Sequence, residues 1–235
     1  MKVLKYIKLP FGFDIIKMQK DVQALPGEYW QKHYNTKDYC GEWLALPLRS
    51  ALGSSNNIIA HSADDADFAD TELMDMCPYI KALTESFDCP KLSVRLLNLK
   101  AGAIVYPHRD KDLYFEEGEA RFHIPVITNN DIKFYLDTEQ IFLEEGSCWY
   151  LNLALTHSLQ NNSTTDRIHL VIDCVVNDWV KEQFIHPAIK IKKTVKLKNK
   201  IIQKQQTIEA LLLMNTTFSN KLAAEMLTEI SSVHA

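Results

Sequence analysis

From Leu92 onward the chain breaks into short segments whose spacing leaves few folds open. Ser93–Leu99, Ile104–His108, Arg121–Thr128, Asp131–Leu136, Gln140–Glu144, Ser147–Asn152, Thr156–Leu159 and Arg167–Val176 each read as a strand. Gly102, Gly118, Asn129-Asn130, Asp137-Thr138, Gly146 and Asn161-Asn162-Ser163 supply turns between most of them. Short strands at such intervals predict a sandwich or barrel, and the double-sheet jelly roll is the form that suits a metal site between its sheets. Upstream, Phe13–Leu25 predicts a short helix broken by Pro26-Gly27, and Glu42–Arg49 predicts a strand. Thr71–Phe87 carries apolar residues at helical spacing (Leu73, Met76, Ile80, Leu83, Phe87), with Thr71 as N-cap. The expected fold is mainly β: a double-stranded β-helix with flanking helices over residues 1–184, followed by a basic linker and C-terminal helices over 185–235.

That tail is set apart by charge. Residues 185–235 hold eight lysines against three glutamates, +5, so the net −4 of the chain leaves −9 on residues 1–184. An acidic body argues against a nucleic-acid groove. Ile201–Met214 and Phe218–Ile230 read as amphipathic helices that cover the barrel or mediate a homo-oligomer. No apolar run reaches the ~20 residues a bilayer requires, so no membrane partner is expected. The lysine-interrupted N-terminus is not a signal peptide. The five cysteines are odd in number and lack a CxxC, which argues against a disulfide framework and a zinc knuckle and points to a reducing cytoplasm. Cys148 and Cys174, within apolar strands, are expected to be buried.

Within the β region, Tyr106-Pro107-His108-Arg109-Asp110 places an imidazole and a carboxylate two residues apart, on one face of an extended strand. His157 follows 49 residues later. Two imidazoles and one carboxylate with open positions form the facial triad of non-heme Fe(II) oxygenases, so His108, Asp110 and His157 are the candidate metal ligands. Arg167 comes ten residues after His157 across a turn, which predicts the two on neighbouring strands, both facing inward. An inward arginine needs an anion: either an internal carboxylate, or a dicarboxylate co-substrate such as 2-oxoglutarate held by the planar guanidinium. Arg121 and His123 share a strand face and form a cationic pair for the second carboxylate, with a structural role for His123 as the alternative. His169 is read as structural. His33, His61, His186 and His234 stand in segments without a partner motif.

Together, Pro107-His108-Arg109-Asp110, Arg121-Phe122-His123-Ile124-Pro125, Gly146-Ser147-Cys148-Trp149-Tyr150-Leu151-Asn152, His157 and Arg167-Ile168-His169-Leu170-Val171-Ile172-Asp173 resemble the aspartyl/asparaginyl β-hydroxylase family of Fe(II)/2-oxoglutarate dioxygenases. The similarity runs from about Trp43 to Trp179 and includes the family's bacterial free-proline hydroxylases. It implies a jelly roll, iron on His108, Asp110 and His157, and 2-oxoglutarate against Arg167, Arg121 and His123. It also implies hydroxylation using O₂, with release of succinate and CO₂. Asp110 is retained, which favours hydroxylation over halogenation. The expected substrate is a free amino acid or close derivative, with a peptide or carrier-bound residue as the alternative. Its carboxylate is expected on Arg95 or Arg49 beside a Trp43 wall, unless those arginines serve surface or salt-bridge roles. Arg109, between two inward ligands, is expected to point away. A cupin-like metalloenzyme without 2-oxoglutarate and a non-catalytic jelly-roll module are the readings from other classes.

Overall fold

The computed structural model describes residues 4–60, 67–110, 114–185 and 207–208. The chain divides into two compact units, Met1–Phe184 and Ile185–Ala235. In the second, Thr207 and Ile208 are helical, and the two helices expected there otherwise lie outside the described residues.

The first unit is a sandwich of two antiparallel sheets. The larger contains β1 (Tyr6–Gly12), β2 (Gln31–Lys32), β4 (Trp43–Ala51), β5 (Phe68–Asp70), β6 (Lys91–Leu99), β8 (Glu119–Ile127), β11 (Ser147–Leu151) and β13 (Arg167–Val175). The smaller contains β3 (Tyr39–Cys40), β7 (Ile104–His108), β9 (Ile132–Leu136), β10 (Glu139–Ile141) and β12 (His157–Asn161). Their orders are β1-β11-β8-β13-β6-β4-β2, with β5 beside β4, and β10-β9-β12-β7-β3. From β6 to β13 the chain switches sheets after almost every strand, which is the path of a jelly roll.

Burial follows that layering. Strands β9 and β12 alternate between buried and more exposed positions, as expected of a sheet with one wet face. Strands β11 and β13 are buried almost throughout. Between the sheets, Leu99, Val105, Phe134, Leu136, Leu151 and Leu159 belong to one apolar core. Four described cysteines are buried thiols, Cys148 and Cys174 among them.

Three prolines mark three places where the ladders slip. The register shifts between Pro47 and Arg49 on β4, at Pro125 on β8, and between Val105 and His108 around Pro107 on β7. Proline lacks the donor a regular ladder needs, so it sits at bulges, which bend the strand and re-aim its side chains. The bulge on β7 turns the strand end that carries His108.

The helices are α1 (Ile15–Ala24), α2 (Pro78–Glu85) and α3 (Asp178–Gln183). Asp14 caps α1 by accepting the Lys17 N–H at 3.1 Å. The helix expected over Thr71–Phe87 is shorter, because Pro78 cannot continue a helix from upstream but suits its first turn. Thr71 does not cap it; its hydroxyl bonds to the carbonyls of Pro47 and Leu48. Buried Asp21 of α1 accepts the Ile80 N–H at 2.8 Å, satisfying a donor at the start of α2. No helix among the described residues is long and apolar enough to cross a membrane.

Candidate active site

The metal-ligand candidates meet on the smaller sheet. His108 closes β7, His157 opens β12, and the two are direct register partners with ring centroids 4.2 Å apart. Asp110 lies two residues beyond β7 rather than on it, anchored by its N–H to the Leu153 carbonyl at 2.9 Å. One donor atom from each of the three falls within 4.8 Å of the others, and Asp110 Oδ1 is 3.7 Å from His108 Nε2.

The backbone sets the tautomers. His108 Nδ1 lies 2.8 Å from the Tyr106 carbonyl and His157 Nδ1 lies 3.1 Å from that of Leu155. A carbonyl only accepts, so each Nδ1 carries a proton and Nε2 is the nitrogen turned toward the cluster. Burial pushes His157 down to about 4, which keeps the ring neutral at physiological pH. Burial pushes Asp110 up, but the Arg121 guanidinium beside it outweighs this and holds the carboxyl below its usual value. Two imidazole nitrogens and one carboxylate oxygen fit Fe(II).

The larger sheet forms the opposite wall of a cavity of about 290 Å³ that holds these ligands. Arg167, only 3% exposed, lines it with no carboxylate partner among the described residues. Its Nη2 donates to His169 Nδ1 at 2.8 Å, and its Nε is buried without a partner among the described residues. Burial pushes the guanidinium down to about 9, leaving it a cation at neutral pH. His123 faces the same cavity with neither ring nitrogen partnered. Burial, then Arg167 and Arg121, hold it well below its ordinary value.

The sequence profile of the Aspartyl/Asparaginyl beta-hydroxylase family matches residues 14–176, well over half of the chain. The chain belongs to that family. L-proline cis-4-hydroxylase of Rhizobium meliloti (strain 1021) is 30% identical over 164 residues, 68% of this chain and 57% of that protein. L-proline cis-3-hydroxylase 2 of a Streptomyces species is 31% identical over 137 residues, 57% of this chain and 47% of that one. The chain thus spans about half the length of the curated relatives it matches. Among solved structures, HygX from Streptomyces hygroscopicus with nickel, 2-oxoglutarate and hygromycin B bound is similar at a TM-score of 0.46 and 12% identity, covering 74% of this chain and 84% of that one.

Several residues of this family member sit differently from expectation. His157 and Arg167 are not on neighbouring strands: β12 pairs with β7 and β9, whereas β13 pairs with β6 and β8. The turn between them crosses from one sheet to the other, so they face each other across the cavity. Arg121 and His123 are not a cationic pair, since His123 is neutral. Arg121 is engaged by two carboxylates, Asp173 through Nε at 2.6 Å and Asp110 through Nη1 at 2.6 Å. Arg49 lies outside the cavity on salt-bridge duty. It is bound to Asp70 at 2.8 Å and to the Lys91 carbonyl at 3.3 Å.

Arg95 and Trp43 do line the cavity. Arg95 donates to Asp173 at 3.0 Å and to the Ile58 carbonyl at 3.1 Å, with its Nε unpartnered. Arg109, expected to point away, lines the rim and donates to Thr156 Oγ1 at 2.9 Å. His33 escaped the sequence reading: it stacks on Trp43 with centroids 3.7 Å apart, beside Tyr34 and Asn35 in the cavity wall. The only available signal was the aromatic-rich composition of residues 30–39. His61, His186 and His234 lie outside the described residues.

Proposed function

We propose that this protein is an Fe(II)/2-oxoglutarate-dependent dioxygenase that hydroxylates a free amino acid, with L-proline and similarly small amino acids as the first substrates to test. His108, Asp110 and His157 would hold the iron. Bound iron, with 2-oxoglutarate and O₂, supplies the oxidising chemistry that hydroxylates a C–H bond and releases succinate and CO₂.

The observation that carries the reading is Arg167: a buried guanidinium in the cavity of the His-Asp-His cluster, held by an imidazole and paired with no carboxylate among the described residues. A cation so placed requires an anion to be stable, and a planar guanidinium suits a carboxylate. Arg167 therefore receives the far carboxylate of 2-oxoglutarate. Neutral His123 offers ring nitrogens that can donate or accept without adding charge. Arg95, with Nε still free, is the group in the wall suited to a substrate carboxylate. The stacked rings of Trp43 and His33 form a flat aromatic wall beside the reacting centre. Support for a free amino acid comes from the proline hydroxylase relatives and from the cavity size.

The test is anaerobic addition of Fe(II) and 2-oxoglutarate, followed by succinate measurement in air across free amino acids, their amides and short peptides. The reading expects a visible charge-transfer band of the chelate and succinate release stimulated by a free acid. No band with both ligands bound would remove 2-oxoglutarate. Stimulation by peptides alone would remove the free acid.

A further inference from the structure

Beneath the cavity lies a buried carboxylate that the proposed chemistry leaves unused. Asp173 on β13 is 0% exposed, in the apolar half of the strand between Ile172 and Cys174. Its Oδ1 accepts Arg121 Nε at 2.6 Å. Its Oδ2 accepts Arg121 Nη2 at 3.2 Å, Arg95 Nη2 at 3.0 Å and Ser93 Oγ at 2.7 Å. Asp173 and Arg121 are register partners on adjacent strands, so the two-pronged grip is built into the sheet. The guanidinium's other nitrogen reaches over to Asp110 Oδ2 at 2.6 Å.

This geometry divides the two oxygens of Asp110. Oδ2 is covered by Arg121, while Oδ1 faces His108 Nε2 at 3.7 Å. A carboxylate can bind a metal through one oxygen or two, and the second mode would occupy a position that a facial triad leaves open. We propose that Asp173 is a positioning residue for the metal site: it holds Arg121 so that Arg121 covers one oxygen of Asp110 and leaves the other as the sole oxygen for the metal. The inference rests on the assignment of His108, Asp110 and His157 as ligands. Burying an ion network such as this returns little stability compared with apolar residues of the same size, so its place against a ligand is explained by what it does to that ligand.

The test uses the full chain with Co(II) in place of Fe(II), free of co-substrate. Chelator competition gives the metal affinity, and the intensity of the visible ligand-field absorption reports the coordination number. Arg121→Lys keeps the charge, but one ammonium cannot grip both Asp173 oxygens and still span to Asp110. It should therefore change the Co(II) absorption. Asp173→Asn frees Arg121 to close on both Asp110 oxygens and compete with the metal, lowering affinity by about tenfold or more. Arg121→Gln removes a nearby cation, so metal affinity should not fall although the absorption changes. The change in Co(II) absorption is what a merely structural network would not produce, because nearby charge alone shifts affinity without changing the coordination number.

Wild-type absorption in Arg121→Lys would overturn the proposal, as would equal weakening of the metal by Asp173→Asn and Arg121→Gln. If Asp173→Asn fails to fold by near-ultraviolet circular dichroism, the two Arg121 variants decide. None of these readouts involves 2-oxoglutarate, so they stand even if the co-substrate reading fails.

Discussion

Replacing Arg167 by Leu separates the two roles a buried arginine can have. Were it half of an internal salt bridge, its removal would strand a charge and cost about 3–5 kcal/mol of stability. Here the described residues offer it no carboxylate, only His169 Nδ1. Loss of that hydrogen bond costs about 1 kcal/mol. Removing a buried cation with no counter-ion offsets this, so the net change in the co-substrate-free protein is near zero. One kcal/mol corresponds to about 2–4 °C in a domain of this size, so the melting midpoint should stay within a few degrees of wild type.

Binding should respond quite differently. Truncating one side of a buried charge pair costs about 2–5 kcal/mol, and about 1.4 kcal/mol is a factor of ten. The 2-oxoglutarate dissociation constant, measured by anaerobic calorimetry on the Fe(II) protein, should therefore rise between about thirtyfold and a few thousandfold. Fe(II) affinity without co-substrate should hardly change. A midpoint lowered by ten degrees or more, with 2-oxoglutarate affinity unaltered, would refute the reasoning and return Arg167 to a structural salt bridge.

Three further outcomes follow from the same geometry. His108→Ala and His157→Ala should each weaken Fe(II) binding beyond the roughly hundredfold that the loss of a mere orienting partner can cost, with circular dichroism unchanged; near-normal turnover in either would show the triad to be misassigned. His33, His123, His157 and His169 are held neutral chiefly by burial, His33 at about 3 and His157 at about 4. Their folded values lie below that of the unfolded chain, about 6.5. Unfolding therefore takes up protons below that pH, and metal-free stability should fall as pH drops from 6.5 toward 4, by up to about 1.4 kcal/mol per pH unit per histidine. Urea midpoints across that range would check it, and a flat profile would mean the rings are not buried. Arg49→Met should leave co-substrate and substrate dissociation constants unchanged, because the side chain lies outside the cavity; a substantial rise in either would reopen its role in binding.

The jelly roll was legible because its signals are local. Strand alternation and turn residues act within a few positions, and each strand from β6 to β13 has a counterpart in the sequence pattern. The three candidate ligands were legible because a metal demands particular side chains. What the sequence alone could not supply was pairing across distance. That His157 and Arg167 stand on opposite sheets depends on where the chain switches layers, and a turn of either kind can be written with the same Asn, Ser and Thr residues. The start of the shortened helix at Pro78 is a local signal, which the apolar spacing continuing upstream of it conceals. His33, from a segment without a motif, enters the wall only because β2 and β4 bring it onto Trp43. The grip of Asp173 on Arg121 joins residues 52 apart through sheet register. One-dimensional patterning determined which elements form and which chemistry the chain can hold; the tertiary structure decided which charges meet. The physical reason is that hydrogen-bond and ion-pair energies depend on distances of a few ångströms, which long-range packing sets and local propensity does not.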